Sequence, residues 1–162
     1  MASRGSHRAS TFSLGVSSYN VLSAVSDERF RLIHKTLSTP VICLQGTRRK
    51  APSEHPCSVS HLAAYRVYQF GYGSRSNVHA GVSIALRHRL FREDSVVLVD
   101  APKDPCLQGR AGLLRVKTPR ADFAIFSVYL PPCFANSAVR RVWYSTLVWV
   151  RAALDRLPSR CL

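Results

Sequence analysis

The sequence has 162 residues and 46% hydrophobic composition, enough for one globular domain with its own core and too short for two. A formal charge of +14, carried mainly by arginine, points to a polyanionic partner, nucleic acid first, rather than to the small neutral substrate of a metabolic enzyme; the competing account is that these charges are merely solvated. No apolar run approaches the ~20 residues of a membrane helix, and Met1 to Ser10, with Arg4 and Arg8, lacks the apolar stretch of a secretory signal. The five cysteines stand far apart with no Cys-x-x-Cys pair, which supports neither a zinc site nor a disulfide framework. A reducing, intracellular location, nuclear or cytoplasmic, is the expectation, with no membrane partner and no small-molecule cofactor.

Residues 1–10 read as a disordered basic tail, 11–158 as one domain and 159–162 as a second tail. Phe12, Leu14 and Val16 alternate with small or polar neighbours, so a strand leads into the loop around Tyr19-Asn20-Val21. Ser26 can cap a helix whose first turn holds Asp27 and Glu28 and whose apolar face is Phe30, Ile33 and Leu37; Pro40 ends it. Val41-Ile42-Cys43-Leu44 is a buried strand that breaks at Gly46 into Arg48-Arg49-Lys50. This strand, helix, strand order predicts a crossover with the first two strands as sheet neighbours. Residues 51–61 read as loop. Strands are predicted over Tyr65–Phe70, Gly81–Arg87, Ser95–Val99, Gly109–Val116 and Phe123–Leu130, with a glycine-bounded hairpin loop before Gly81 and a turn at Pro119–Asp122. Asn136 or Ser137 caps a last helix with Val139, Val142, Trp143, Leu147, Val150, Leu154 and Leu157 as its stripe.

Read in order, several of these stretches resemble the endonuclease/exonuclease/phosphatase superfamily, which includes retrotransposon and apurinic-site endonucleases. Ser-Tyr-Asn-Val-Leu-Ser is similar to its opening element, Leu44-Gln45-Gly46-Thr47 to its LQE(T/S) signature, Gly81–Arg87 and Gly109–Val116 to two of its strands, and Tyr129-Leu-Pro-Pro132 to its YxPP strand end. The resemblance covers the N-terminal portion of that fold. It implies an α/β architecture, a mixed β-sheet with flanking helices forming the first half of a four-layer α/β/β/α sandwich. It also implies Asn20 and Tyr129 at the scissile phosphate, Gly46 in place of the metal-binding Glu, and Arg48, Arg49, Lys50, Arg75 and Arg110 along a nucleic-acid groove, with DNA preferred over RNA.

The family metal is Mg²⁺, a hard cation normally held by carboxylates, phosphate oxygens and water. With glycine at position 46 and with Ser127 where many members carry Asn, Mg²⁺ is not expected to bind. The Gly-Asp-x-Asn and Ser-Asp-His elements do not follow Leu157. The expectation is therefore a truncated, inactive relative of a hydrolase, whose inner residues Ile84, Leu86, Ile125 and Val128 lack a covering layer. Two alternatives stand beside it: a basic nucleic-acid-binding module without catalysis, and the N-terminal part of an active endonuclease.

Overall fold

In the computed structural model, residues 13–24, 26–52, 55, 57–73, 78–131 and 136–162 are described. Eight strands and two helices follow one another as β1 (Val16–Asn20), α1 (Asp27–Thr36), β2 (Val41–Gln45), β3 (Ser58–Leu62), β4 (Tyr65–Phe70), β5 (Val82–Arg87), β6 (Val96–Asp100), β7 (Ala111–Lys117), β8 (Asp122–Val128) and α2 (Ser137–Asp155). A five-stranded sheet has the order β1-β2-β5-β4-β3 and a three-stranded antiparallel sheet the order β6-β7-β8. The first sheet is mixed. β1 and β2 run parallel across the α1 crossover, whereas β2–β5, β5–β4 and β4–β3 are antiparallel.

The two sheets face each other. Val41 and Cys43 of β2, Tyr68 and Phe70 of β4, and Val82, Ile84 and Leu86 of β5 form one buried cluster with Leu114 and Val116 of β7 and Phe123 and Ile125 of β8. This corrects the expectation of an uncovered inner face: Ile84 and Leu86 are wholly buried and Ile125 is 7% exposed. The chain's own strands β6–β8 supply the covering layer, because hairpins this short can fold back over the sheet that precedes them. Val128, expected on the same inner face, alternates with Ile125 and lies on the other side of β8 with Ala124 and Phe126.

On the opposite face of the larger sheet, Ile42, Leu44, Tyr65, Val67 and Ala85 bury Phe30 of α1, with Ile33 and Leu37 packed alongside. Ser26 caps α1, its hydroxyl accepting the Arg29 N–H at 3.3 Å. His34 joins the same apolar face, its ring stacked on Tyr65 at 4.3 Å and tilted against Phe30 at 4.6 Å. On the outside of the smaller sheet lies α2, capped by Asn136, with Trp149 edge-on to Phe126 at 6.5 Å. The expected stripe holds at Val139, Val142, Trp143, Val150 and Leu157, which are half-buried, and is corrected at Leu147 and Leu154, which are exposed, while Thr146 and Ala153 are the buried residues of α2. The layer order is therefore α1, five strands, three strands, α2.

Two further departures are local. Ser58–Leu62, inside the segment read as loop, is the edge strand β3; its serines and histidine hid a strand that exists only because β4 pairs with it over five positions. Residues 159–162 turn back onto β8, where Leu162 makes two backbone hydrogen bonds. Burial pushes the Cys43 thiol up to about 11, as suits a core residue.

Gly112 sits on the inner row of β7, where a Cβ would land inside the Phe70 ring. Gly112→Ala is therefore expected to lower the unfolding free energy by about 1–3 kcal/mol through overpacking, read from urea denaturation. An unchanged midpoint would show that Phe70 has room to move.

His34 predicts acid sensitivity. Burial lowers its pKa from 6.5 to about 4, and among the described residues neither ring nitrogen has a hydrogen-bond partner, so the native state holds the ring neutral. The neutral ring's contribution is complete above about 6.5, the unfolded value, and is lost as pH falls from there through about 4. The urea midpoint should fall between pH 7 and 4, and the fall should be smaller in His34→Phe; equal falls in both proteins would remove His34 as the cause.

Candidate functional site

Parallel pairing ends β1 and β2 at the same level, with Asn20 opposite Gln45. Phe70, at the end of β4, lies opposite Val82, at the start of β5, and Val128 lies opposite Ala111, so the strand-end segments quoted from five separate motifs meet at one end of the sandwich. Backbone hydrogen bonds join them into a floor. Thr47 N–H donates to the Gly81 carbonyl at 3.0 Å, Arg48 N–H to Ala80 at 2.9 Å, Gly81 N–H to Gly109 at 2.9 Å and Tyr129 N–H to Arg110 at 2.7 Å.

The floor is conformationally unusual. Of the described residues with positive φ, all but Ala63 lie here: Leu22 (56°), Gly46 (68°), Arg48 (56°), Gly81 (109°) and Gly109 (79°). Such backbone is costly for residues with a Cβ and tends to collect at functional loops. Asn20 serves as a turn former, its Oδ1 accepting the Leu22 N–H at 3.2 Å. A Cβ on Gly46 would stand 2.9 Å from that same oxygen. The loop is thus shaped around the absence of a side chain at position 46.

Gln45 and Ser127 link the two sheets beneath this floor. Gln45 Nε2 donates to Ser18 Oγ at 3.1 Å and to Ser127 Oγ at 3.3 Å, and the buried Ser127 hydroxyl donates to the Leu44 carbonyl at 3.4 Å. Sequence reading gave Gln45 no role; its place at the break of the β2 motif was the available signal.

The expected basic residues separate into groups. Arg48 and Lys50 are exposed at the rim. Arg110 is 9% exposed on the floor, its guanidinium 5.5 Å from the centre of the Tyr129 ring; burial lowers its pKa, opposed by the Tyr129 charge. Arg49 is engaged elsewhere, donating from Nε to the Ala24 carbonyl at 2.9 Å and pairing with Asp27 at 2.7 Å, over the face of Phe30. It fastens the start of α1. Arg75 lies outside the described residues. Beside the floor a cavity of about 390 Å³ is lined by His55, Phe70, Lys103 and Gln108 among others.

The donor set does not fit Mg²⁺. Gly46 brings no carboxylate, the oxygens of Asn20, Gln45 and Ser127 are neutral, and among the described residues no three of His, Cys, Asp and Glu come together. Asp27 and Asp100 are paired with Arg49 and Arg156, and the Asp104 carboxylate accepts the Cys106 N–H at 2.8 Å.

No protein-family model matches the sequence, and no curated protein matches it. The fold resembles that of AP endonuclease LMAP from Leishmania major, which superposes on 86% of the chain with a TM-score of 0.57 at 12% identity. The endonuclease domain of TRAS1, a telomere-specific non-LTR retrotransposon, covers 90% of the chain at 14% identity and a TM-score of 0.46. An endonuclease/exonuclease/phosphatase family protein from Leptotrichia buccalis covers 90% at 13% identity and 0.49. The chain spans 46%, 55% and 62% of the lengths of these three proteins.

Gly46→Ala tests the reading of the loop. At φ 68° it is expected to lower stability by about 1–2 kcal/mol, measured by urea unfolding. An unchanged midpoint would show that the loop adopts another backbone without penalty.

Proposed function

We propose that this chain is a nucleic-acid-binding domain that holds a phosphodiester backbone along the cleft without hydrolysing it, a non-catalytic relative of the metal-dependent phosphodiesterases that it resembles, with DNA as the preferred partner. Gly46 carries this reading. A glycine in left-handed backbone, packed toward Asn20 Oδ1, stands where the motif resemblance puts the metal-binding carboxylate. Phosphodiester hydrolysis needs a cation to neutralise developing charge and a base to generate the nucleophile, and losing even one electrostatic stabiliser costs a factor of ~100 to 1000 in rate.

Binding asks for less. Phosphate contacts require cations and hydrogen-bond donors arranged along a groove, and Arg48, Lys50, Arg110 and the Tyr129 hydroxyl supply these on a chain of net charge +14. The fold shared with an AP endonuclease supports the same class of partner.

Fluorescence anisotropy with duplex DNA over a salt series tests binding. Affinity should fall steeply as salt rises, and Arg48→Ala and Lys50→Ala should each flatten the log–log slope by about 0.9, the value per phosphate contact on B-DNA. Arg49→Ala should leave the slope unchanged while lowering stability through the lost Asp27 pair. Absent or salt-independent binding would overturn the proposal. Plasmid relaxation in Mg²⁺ should stay at background; nicking that EDTA and Asn20→Ala both abolish would restore catalysis.

A further inference from the structure

The end of the sandwich opposite the floor holds a buried charge with little to neutralise it. Arg66 follows the alternation of Tyr68 and Phe70 on β4, so it lies in the row that faces the smaller sheet, with His61 of β3 on one side and Leu86 of β5 on the other. It is 7% exposed, and its Nε and Nη1 groups have no hydrogen-bond partner among the described residues. Its ion-pair partner is a loose one. Glu93 Oε2 stands 3.8 Å from Nη2, beyond hydrogen-bond range, on a side chain that is 81% exposed. A guanidinium taken out of water ordinarily requires a hydrogen-bonded counter-charge, and this one lacks it.

Two imidazoles stand beside Arg66. His61 neighbours it across the β3–β4 ladder, and His88, just past β5, is fixed by its backbone N–H donating to the Ala64 carbonyl at 3.0 Å. Their ring centres are 5.3 Å apart with the planes at 24°, His61 exposed and His88 half-buried. Burial, then the charges of His61 and Arg66, lowers the pKa of His88, so the three groups feel one another. The other titratable groups at this corner are Glu93, the exposed Arg89, the Arg92–Asp94 pair and Tyr68, whose pKa burial raises. Arg87 points to the opposite face of the sheet, over the Tyr65 ring.

We propose that this corner is a phosphate-binding site, in which Arg66, His61 and His88 together hold the phosphate group of a small molecule that takes the place of Glu93 at Nη2. The guanidinium supplies a permanent charge and planar donors suited to phosphate oxygens. The two oxygens of a carboxylate would be used up on Arg66, whereas a tetrahedral phosphate has further oxygens for the imidazole N–H groups. A divalent cation, which a histidine pair could otherwise attract, is repelled here by Arg66. The inference is independent of the nucleic-acid reading. Arg66 lies four residues along β4 from Phe70 at the floor, roughly 13 Å at the rise of a strand, and Arg48, Lys50 and Arg110 take no part.

The probe is inorganic phosphate, titrated into the full chain by calorimetry. It should bind one-to-one, and Arg66→Gln should weaken binding by roughly tenfold or more, the cost of a lost hydrogen bond to a charged group. Glu93→Gln should tighten it by removing the competing carboxylate; a purely structural Arg66–Glu93 pair would leave phosphate affinity unchanged in that variant. Sulfate, whose charge is constant between about pH 6 and about pH 8, either side of the ordinary imidazole value, should bind more tightly at the lower pH, because a bound dianion favours the imidazolium form. The double substitution His61→Asn, His88→Asn should remove that dependence, and it carries the test if Arg66→Gln does not fold. Arg48→Ala should leave phosphate affinity unchanged. The proposal is overturned if phosphate does not bind, if Arg66→Gln binds it equally well, if Glu93→Gln changes nothing, or if Arg48→Ala abolishes binding and so moves the phosphate to the cleft. Competition by phenyl phosphate would identify a phosphomonoester as the occupant, and its failure beside phosphate binding would identify the free ion.

Discussion

The burial of two inner rows against one another fixes the rest of this molecule. Val41, Cys43, Ile84 and Leu86 have no other way to leave water than under Leu114, Val116, Phe123 and Ile125. Once they meet, the strand ends must coincide at one end of the sandwich, and loops drawn from distant parts of the chain become neighbours. The hydrogen bonds among Gln45, Ser127 and Leu44 cross the same interface at its polar end. They set the spacing of the sheets where the apolar packing runs out.

At that end the backbone does most of the work. Thr47, Gly81, Gly109, Arg110 and Tyr129 are joined through amides and carbonyls rather than side chains, and the left-handed residues that permit this need packing on every side to persist. Among the described residues, this surface brings the cations Arg48, Lys50 and Arg110 beside the neutral groups of Asn20, Gln45 and Tyr129. Arg49 shows how little a local run of charge says by itself: its neighbours face solvent, while it is spent on fastening α1 to Asp27 and the Ala24 carbonyl.

The outer layers are attached in two ways. α1 packs through large aromatic and aliphatic side chains and carries the buried, neutral His34 with it, whereas α2 buries Thr146 and Ala153 and meets the smaller sheet through Trp149, edge-on to Phe126. Beyond α2 the chain comes back beside β8, where Leu162 makes two backbone hydrogen bonds.

Local chemistry determined a large part of this architecture. The β-branched runs at Val41–Leu44, Tyr65–Phe70 and Val82–Leu86, the caps at Ser26 and Asn136, and the turn before Asp122 were legible because propensity, capping and alternation act over a few residues. The order of the short motifs indicated the fold that the superposition shows. Three things had to wait for the tertiary structure. The strand character of Ser58–Leu62 comes from pairing with β4, and the exposure of Leu147 and Leu154 from how α2 is set against the smaller sheet. The third was that β6–β8 close over Ile84 and Leu86, since periodicity gives the face of a strand and not what will cover it. For the site, sequence named Asn20, Gly46, Arg110 and Tyr129 as members of one group, but only the folded chain showed that Gly46 is held at positive φ against Asn20 and that Arg49 points elsewhere. Side-chain identity is written in the sequence; the direction in which a side chain is aimed depends on residues far away along the chain.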